Sequence, residues 1–283
     1  MKKRIIYLIM AIAILNIPKV QSQDKKDTLY KNMGVAVSPA HLNFSLRPGA
    51  SKTQQIKITN DTKKKNKFQL NFKDFDMNEN GKTIFIDAGK GKYSLSKWVT
   101  ISQTFVELEP GEEKKIDVTV NIPATDDGYK AAWCILMVNQ QEEKKDIDVK
   151  GNEKTIAFGV IPLISFGIYI YQNPPNVLVN KVEIQNFKLI SSDTSKVKTL
   201  NLRAKNTGDG ISFSSCYVEL TNTNIGKQNK LLVKKFTILP GETRDFTFDL
   251  PDNLEKGKYS AIGVLDFGSN EEIETAEIEF EIK

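Results

Sequence analysis

The chain has 283 residues, with 40 Lys and Arg against 35 Asp and Glu, one His and two Cys. Residues 1–22 hold four of the basic residues and no acidic ones, so without them the balance is 36 against 35. A chain this close to neutrality lacks the concentrated positive field that binds a phosphate backbone, which argues against nucleic acid as a partner. One histidine, His41, and two cysteines are also too few for a His-based triad, a multi-His metal cluster or a four-thiolate metal site.

Carboxylates are the remaining groups from which an active site could be built. Asp and Glu are plentiful, but their spacing sets no pair apart, and the nucleophile motif G-x-S-x-G is absent. The sequence therefore predicts a protein that is not an enzyme and that has no cofactor.

Residues 1–22 have the layout of a secretory signal peptide. The basic start Lys2-Lys3-Arg4 precedes an apolar run from Ile5 to about Ile17, and Val20 and Ser22 are small residues ahead of the expected cut. The apolar run is shorter than the ~20 residues that cross a bilayer. We therefore expect export and cleavage, a periplasmic or secreted location, and no membrane span in the mature chain.

The rest of the chain alternates short runs of Val, Ile, Phe, Tyr and Thr with turn clusters, and no helical periodicity lasts beyond a turn or two. This pattern predicts an all-β protein. In the first half the expected strands are 35–46, 53–59, 68–75, 83–86, 98–106, 115–122, 129–138 and 155–171. In the second half they are 181–189, 197–204, 214–220, 231–237, 244–249, 259–267 and 274–282.

Asn173-Pro174-Pro175 lies between the two sets of strands and cannot continue a central strand. We place the domain boundary there. The division predicts a first domain at 34–172 and a second at 176–283, each long enough for one immunoglobulin-like β-sandwich. The fold class is therefore two tandem immunoglobulin-like sandwiches after a signal peptide.

An internal repeat supports the division. Glu109-Pro110-Gly111-Glu112 and Leu239-Pro240-Gly241-Glu242 each open a strand, and each is followed by a glycine and a tyrosine that open the next strand. Pro followed by Gly suits the two central positions of a type II turn. Tyr129 and Tyr259 match the tyrosine corner of immunoglobulin-like sandwiches, with an ordinary half-buried strand aromatic as the alternative.

Alternation from Tyr129 places Ala131, Trp133, Ile135 and Met137 on one strand face. We expect that face in the core of the first sandwich, with Trp133 as its largest member. Cys134 and Cys216 lie in apolar runs of different domains, where a cysteine is more often a small buried hydrophobe than half of a disulfide. Free, buried cysteines are the favoured interpretation, and a disulfide, which export would permit, is the alternative.

One segment has the spacing of a calcium-binding loop. Asp76, Asn78 and Asn80 are followed by Gly81, and Asp87 is the twelfth residue from Asp76. Asn80-Gly81 is also a strong hairpin dipeptide between two strand-like runs, and the flanking helices of an EF-hand are missing. The hairpin is the favoured interpretation and the calcium loop is the alternative.

The last strand of the first half is the candidate binding element. Ile164, Phe166, Ile168 and Ile170 lie on one face, and Ser165, Gly167, Tyr169 and Tyr171 lie on the other. A long strand with an apolar face is able to pair with a partner strand if it lies at a sheet edge. The alternative is that these four residues complete the core of their own domain.

This arrangement resembles the two-domain periplasmic chaperones of pilus assembly. The shared features are the V-x6-F pattern from Val37 to Phe44, a strand ending in Asn60, an Asn-rich hairpin, a Leu-x-Pro-Gly turn and an alternating last strand. Those chaperones hold a subunit's terminal carboxylate with a basic pair, but residues 34–40 and 155–171 contain no basic residue here. Strand donation is the part of that mechanism that the resemblance implies for this chain.

The segment from Ile122-Pro123 to Asp127-Gly128-Tyr129-Lys130-Ala131 resembles the first domain of cell-surface proteins that bind WxL proteins and peptidoglycan. Together the resemblances imply an exported protein-binding module of the cell envelope that assists assembly or presentation of a surface or fimbria-like structure. Its partner would be another envelope or secreted protein, such as a pilin-like or surface subunit. The alternative is a surface adhesion or scaffold protein that binds a cell-surface protein or glycan.

Overall fold

The computed structural model describes residues 34–141, 163–175, 178–190, 198–269 and 272–282. The predicted signal peptide and residues 155–162 of the expected last strand of the first half lie outside the described residues. Within the described ranges the chain forms strands and one short 3-10 helix, Asp126–Tyr129, so the predicted all-β class is confirmed. No helix in these ranges has the length and apolarity to cross a membrane.

Ten of the strands found in the described residues build the first sandwich. They are β1 (Val35–Ser38), β2 (His41–Phe44), β3 (Ser51–Asn60), β4 (Asn66–Met77), β5 (Thr83–Asp87), β6 (Val99–Ile101), β7 (Phe105–Leu108), β8 (Glu113–Asn121), β9 (Ala132–Gln141) and β10 (Ser165–Gln172). One sheet has the order β1-β3-β8-β6. The other has the order β2-β10-β9-β4-β5, and β7 also pairs with β4.

Eight further strands of the described part build the second sandwich. They are β11 (Val182–Ile190), β12 (Thr199–Asn206), β13 (Ser212–Asn222), β14 (Lys227–Lys230), β15 (Lys234–Ile238), β16 (Thr243–Asp249), β17 (Gly257–Asp266) and β18 (Glu274–Ile282). One sheet has the order β11-β12-β16 and the other has the order β14-β13-β17-β18, with β15 paired to β13. The chain is therefore two tandem sandwiches.

Each sandwich has its own apolar core, formed by alternate residues of its facing sheets. In the first, Ile56 and Ile58 of β3 and Ile116 and Val118 of β8 are fully buried against the other sheet. The two cysteines belong to these cores as free thiols, as predicted. Burial raises the pKa of both thiols, that of Cys216 to about 12, so neither forms a thiolate readily at neutral pH.

The internal repeat has a structural basis in one buried asparagine per sandwich. The Asn60 Nδ2 atom donates to the Leu108 carbonyl at 2.9 Å, and the Asn206 Nδ2 atom donates to the Ile238 carbonyl at 3.1 Å. Both asparagines are fully buried and tie the strand end to the following Pro-Gly turn. Gly111 and Gly241 both have φ of 79°, as the predicted type II turns require.

Two expected strands are wrong as single strands because the chain changes sheets within them. The expected strand 35–46 divides into β1, in the four-stranded sheet, and β2, in the other sheet, with Pro39 in the connection. Likewise 98–106 divides into β6 and the start of β7, in different sheets. A change of sheet keeps the apolar pattern running, so the composition of the run does not reveal it.

Of the two predicted tyrosine corners, only the second is confirmed. The Tyr259 hydroxyl donates to the Glu255 carbonyl at 2.7 Å, and its ring is buried in the second core. Tyr129 is 52% exposed at the end of the 3-10 helix, and β9 begins three residues later, so its predicted place in a strand is wrong. Because Asp126–Tyr129 form a 3-10 helix, Tyr129 is not available to begin the strand.

The core face predicted for β9 is also wrong. The first core takes Ala132, Cys134, Leu136 and Val138, whereas Ala131, Trp133 and Ile135 lie on the outer face of the sheet. There they join a third apolar cluster, which also contains residues of the second sandwich. Its buried members are Phe75, Ala131, Trp133, Ile135, Tyr171, Ile211 and Leu239. Both faces of β9 are buried, so alternation identified which residues share a face but not which face was the core.

Hydrogen bonds reinforce this junction between the sandwiches. The Asn173 side chain forms two bonds with the Ile211 backbone, at 2.8 and 3.0 Å. At the tip of the β4–β5 hairpin, the Glu79 carbonyl accepts from the Asp245 backbone N–H at 2.8 Å, and the Glu79 carboxylate pairs with Arg203 at 2.8 Å. The junction is thus held at two separate places around the apolar cluster.

Glu242 links the repeated turn to the junction. One carboxylate oxygen accepts from the Leu239 backbone N–H at 3.0 Å, and the other accepts from the Met77 N–H of the first sandwich at 2.8 Å. Burial raises the pKa of Glu242 above its ordinary value. The stability linked to this shift is present below the unfolded-state pKa and is lost as the pH rises through the folded-state pKa.

Replacing Glu242 with Ala should destabilise the second sandwich and its junction. The change leaves the Leu239 and Met77 N–H groups without their acceptor, which should lower the free energy of unfolding by about 1–3 kcal/mol. Glu112 occupies the same turn position in the first sandwich, but it is exposed, and its carboxylate accepts from the Glu109 N–H of its own turn. Glu112→Ala is therefore the matched control. Equal shifts of the two variants in urea unfolding would contradict a junction role for Glu242.

Candidate binding sites

The predicted alternation of β10 is confirmed, and it separates the four candidate residues. Ile168 and Ile170 are 1% and 0% exposed within the first core, and Phe166 packs partly against that core. Ile164, just before the strand, is 48% exposed. The side chains of Ile168 and Ile170 therefore serve the folded core, and Ile164 is the member of the set that faces solvent.

β10 is covered on one edge along its whole length and on the other edge only in part. It pairs antiparallel with β9 from Ser165 to Gln172. On the opposite edge β2 pairs parallel with Tyr169–Gln172 alone. No strand of the described residues covers that edge at Ser165–Ile168, which we call the open edge.

The direction of the backbone groups follows from the hydrogen bonds that flank the strand. The Gln140 N–H donates to the Ile164 carbonyl, so Ile164 points its carbonyl toward β9, whereas the Tyr169 N–H donates to Ala40 on the β2 side. Because direction alternates along a strand, Ser165 and Gly167 present their N–H and C=O groups at the open edge. These groups are a template for one more strand.

The residues with calcium-loop spacing form the favoured hairpin between β4 and β5. The Asn78 side chain accepts from the N–H groups of Asn80 and Lys82 at 3.1 and 2.9 Å, and Gly81 takes a φ of 76°. Asp76 pairs with Ile84, three ladder positions from the Lys73–Asp87 pair, so Asp76 and Asp87 lie about 10 Å apart along the hairpin. The structure does not bring the four ligands together.

A cleft of about 540 Å³ lies between the sandwiches, beside the junction cluster. The His41 and Tyr169 rings are stacked with their centroids 5.5 Å apart, and the Tyr171 and Phe213 rings meet edge to face with their centroids 5.6 Å apart. Arg244 reaches in from the second sandwich and donates to the Thr237 carbonyl at 3.0 Å. Burial lowers the pKa of Arg244. The aromatic groups and the guanidinium thus complete the wall of the junction.

A second concavity, of about 400 Å³, lies at the start of β9 in the first sandwich. We call it the lysine–aromatic pocket. Its lining residues are Lys92, Tyr93, Ser94, Lys97, Trp98, Asp127, Lys130, Ala131 and Ala132. The segments 92–98 and 127–132 are distant in sequence and meet because Ser94 bridges to Trp133 at the start of β9. In the sequence, the pocket is marked by the mixture of lysine and aromatic residues in 92–98. This mixture does not form a recognisable binding motif.

The loop that forms one side of the pocket is held by a buried carboxylate. Asp74 is 1% exposed and accepts from the Gly91 N–H at 2.9 Å and from the Ser94 hydroxyl at 3.0 Å. Gly91 passes so close to Asp74 that a Cβ atom there would lie 2.9 Å from the Asp74 Cβ. The lysines and aromatic rings of this loop therefore sit on a fixed backbone.

Residues 34–133 match the family described as WxL Interacting Protein, peptidoglycan binding domain. The predicted resemblance of the first domain to WxL-binding cell-surface proteins is thereby confirmed over this range. No curated protein matches the chain.

Several solved structures are similar to the chain. A structure of the chaperone-tip adhesin complex of CFA/I fimbriae biogenesis has a TM-score of 0.44 and 14% identity, covering 88% of this chain and 98% of that one. The class 5 fimbriae chaperone CfaA has a TM-score of 0.42 and 14% identity, covering 87% and 98%. A complex of the Salmonella enterica SafA pilin with the SafB chaperone has a TM-score of 0.41 and 10% identity, covering 87% and 96%.

Aspartate at Ile168 and at Ile164 should distinguish a core position from a surface position. Ile168→Asp buries a charge without a partner and should lower the free energy of unfolding of the first sandwich by roughly 3–5 kcal/mol. Ile164→Asp places the charge in solvent and should change it by less than about 0.5 kcal/mol. Thermal unfolding followed by far-UV circular dichroism measures both. A tolerated aspartate at 168 would show that the strand does not seal the core.

Proposed function

We propose that the chain is an exported, non-enzymatic binding module of the cell envelope that holds a protein partner by strand addition at the open edge of β10. The observation that carries the proposal is the uneven cover of this strand, which other described strands pair on both sides at Tyr169–Gln172 and on one side at Ser165–Ile168. Main-chain bonds to an added strand supply affinity, and pockets or apolar side chains beside it supply specificity.

The side chains beside the open edge favour an apolar partner strand. Leu163 and Ile164 are 57% and 48% exposed, and Phe166 keeps part of its surface outside the core. A partner strand along Ser165–Ile168 would cover these groups while the buried Ile168 stays in place. The proposed partner is therefore an envelope or secreted subunit, pilin-like or otherwise part of a surface structure, that offers an unpaired strand. Assistance in assembly or presentation of that structure is the role this binding would serve.

A photo-crosslinking residue in place of Ser165 tests the open edge directly. Expressed in the native cell, it should capture one discrete envelope protein, identified by mass spectrometry. The same residue in place of Lys115, exposed on the opposite sheet, should capture none.

Ser165→Pro is the companion variant. Proline removes the Ser165 N–H that faces the open edge and leaves the bonds to β9 in place, so the partner yield should fall about tenfold. Ser165→Ala retains the N–H and should capture as well as the wild type. Unchanged capture by the proline variant would refute strand addition at this edge.

Attachment to peptidoglycan is a second proposed function, for the first sandwich. The match of residues 34–133 to a peptidoglycan-binding family supports it. It also fits the alternative of a surface scaffold that binds glycan, and the two functions are compatible because the lysine–aromatic pocket and the open edge use different residues.

Purified sacculi provide the test of this second function. The full chain should sediment with them, and urea-unfolded chain returned to buffer without refolding should serve as the control for nonspecific trapping. A folded chain that stays in the supernatant would remove peptidoglycan attachment and leave the strand-addition proposal standing.

A further inference from the structure

We infer that the lysine–aromatic pocket is the place where the first sandwich takes an acidic glycopeptide of the peptidoglycan type. The inference rests on the proposed attachment to peptidoglycan and names the residues that would carry it. The whole pocket lies within the segment that matches the peptidoglycan-binding family, residues 34–133.

The pocket has the size and shape of a ligand site. Its volume of about 400 Å³ is within the range of about 300–1,000 Å³ that small-molecule sites occupy. Ala131 and Ala132 contribute to its wall, and their short side chains leave depth that larger residues would fill. A cavity of these dimensions suits a sugar with a short peptide branch as its ligand better than it suits the flat surface of a protein partner.

Two half-buried aromatic rings, Tyr93 and Trp98, line the pocket. Tyr93 is stacked on Trp133 with ring centroids 4.6 Å apart, and Trp133 in turn donates from its indole nitrogen to the Phe75 carbonyl at 2.7 Å. Trp98 packs partly against the first core, and the rest of its surface is exposed. Trp133 and the Lys92 ammonium both lie against the Tyr93 ring, so the exposed surface of Trp98 is the one placed to pack against the C–H face of a pyranose.

The charges favour a ligand with carboxylates. Three lysines and one aspartate line the pocket. Lys130 pairs with Asp127 at 2.7 Å, and the Lys92 ammonium lies 4.9 Å from the centre of the Tyr93 ring. Lys97 has no carboxylate within ion-pair distance in the described part of the chain. The excess positive charge beside aromatic rings suits a sugar that carries a lactyl group and an acidic stem peptide.

The fixed loop strengthens this assignment. The bonds from Gly91 and Ser94 to buried Asp74 hold the segment that bears Lys92, Tyr93, Lys97 and Trp98. A binding group held before the ligand arrives loses less conformational entropy on binding. A solvated surface loop would have no need of a buried carboxylate at its base.

Charge reversal of two exposed lysines tests the site. Lys92→Glu with Lys97→Glu, made in the full chain, should weaken binding of a soluble disaccharide-tetrapeptide muropeptide at least about tenfold in calorimetry. It should weaken sedimentation with sacculi to a similar degree. Lys52→Glu with Lys115→Glu makes the same change of charge on the opposite sheet and should bind within about twofold of wild type.

Tryptophan fluorescence provides a second measurement of ligand binding at the same site. Trp133 is 3% exposed and Trp98 lines the pocket, so the muropeptide should shift the emission of Trp98. The shift should disappear in Trp98→Phe, a variant that keeps an aromatic ring. Persistence of the full shift in this variant would place the ligand elsewhere.

Three outcomes overturn the inference, and they are distinguishable. If wild-type chain does not sediment with sacculi, the inference falls together with peptidoglycan attachment. If wild type and the Lys92 and Lys97 double variant bind alike, only the assignment of the pocket falls. If hexaglutamate competes as well as the muropeptide, the pocket is a general anion site without recognition of sugar.

Discussion

A sheet that is apolar on both faces must be covered on both faces, and the sheet containing β9 and β10 imposes this constraint on the whole chain. Its inner face closes the first core with Cys134, Leu136 and Ile168, and its outer face carries Trp133 and Tyr171. Ile211 and Leu239 of the second sandwich cover part of that outer face. The two sandwiches are thus joined through an apolar cluster, and two hydrogen bonds align them: Asn173 donates to the Ile211 carbonyl, and Glu242 accepts from the Met77 N–H.

The same constraint connects the junction to both candidate binding sites. Trp133 belongs to the junction cluster, and its ring also supports Tyr93 in the lysine–aromatic pocket. Tyr169 and Tyr171 lie on the outer face of the strand whose other half forms the open edge. The junction cluster is therefore in direct contact with the pocket through Trp133, and it shares the strand β10 with the open edge.

Local chemistry made several features predictable. The Pro-Gly turns need a positive φ at glycine, the Asn-Gly dipeptide forms the expected hairpin, and Tyr259 makes the expected corner because the preceding loop brings its carbonyl within reach. Each depends on residues close in sequence. Tyr129 departed from its repeat partner because its loop forms a 3-10 turn, and the strand 35–46 divided because the chain passes from one sheet to the other.

The sequence by itself determined that the chain is all-β, where most strands lie, that two sandwiches follow each other and which residues of a strand share a face. Only the tertiary structure decided that the face of Trp133 belongs to the junction, that Ile168 is core while Ile164 is exposed, and that the segments 92–98 and 127–132 form one pocket. The physical reason is that strand alternation is a local property with a period of two residues. Which face is covered, and by what, depends on contacts between residues far apart in the chain.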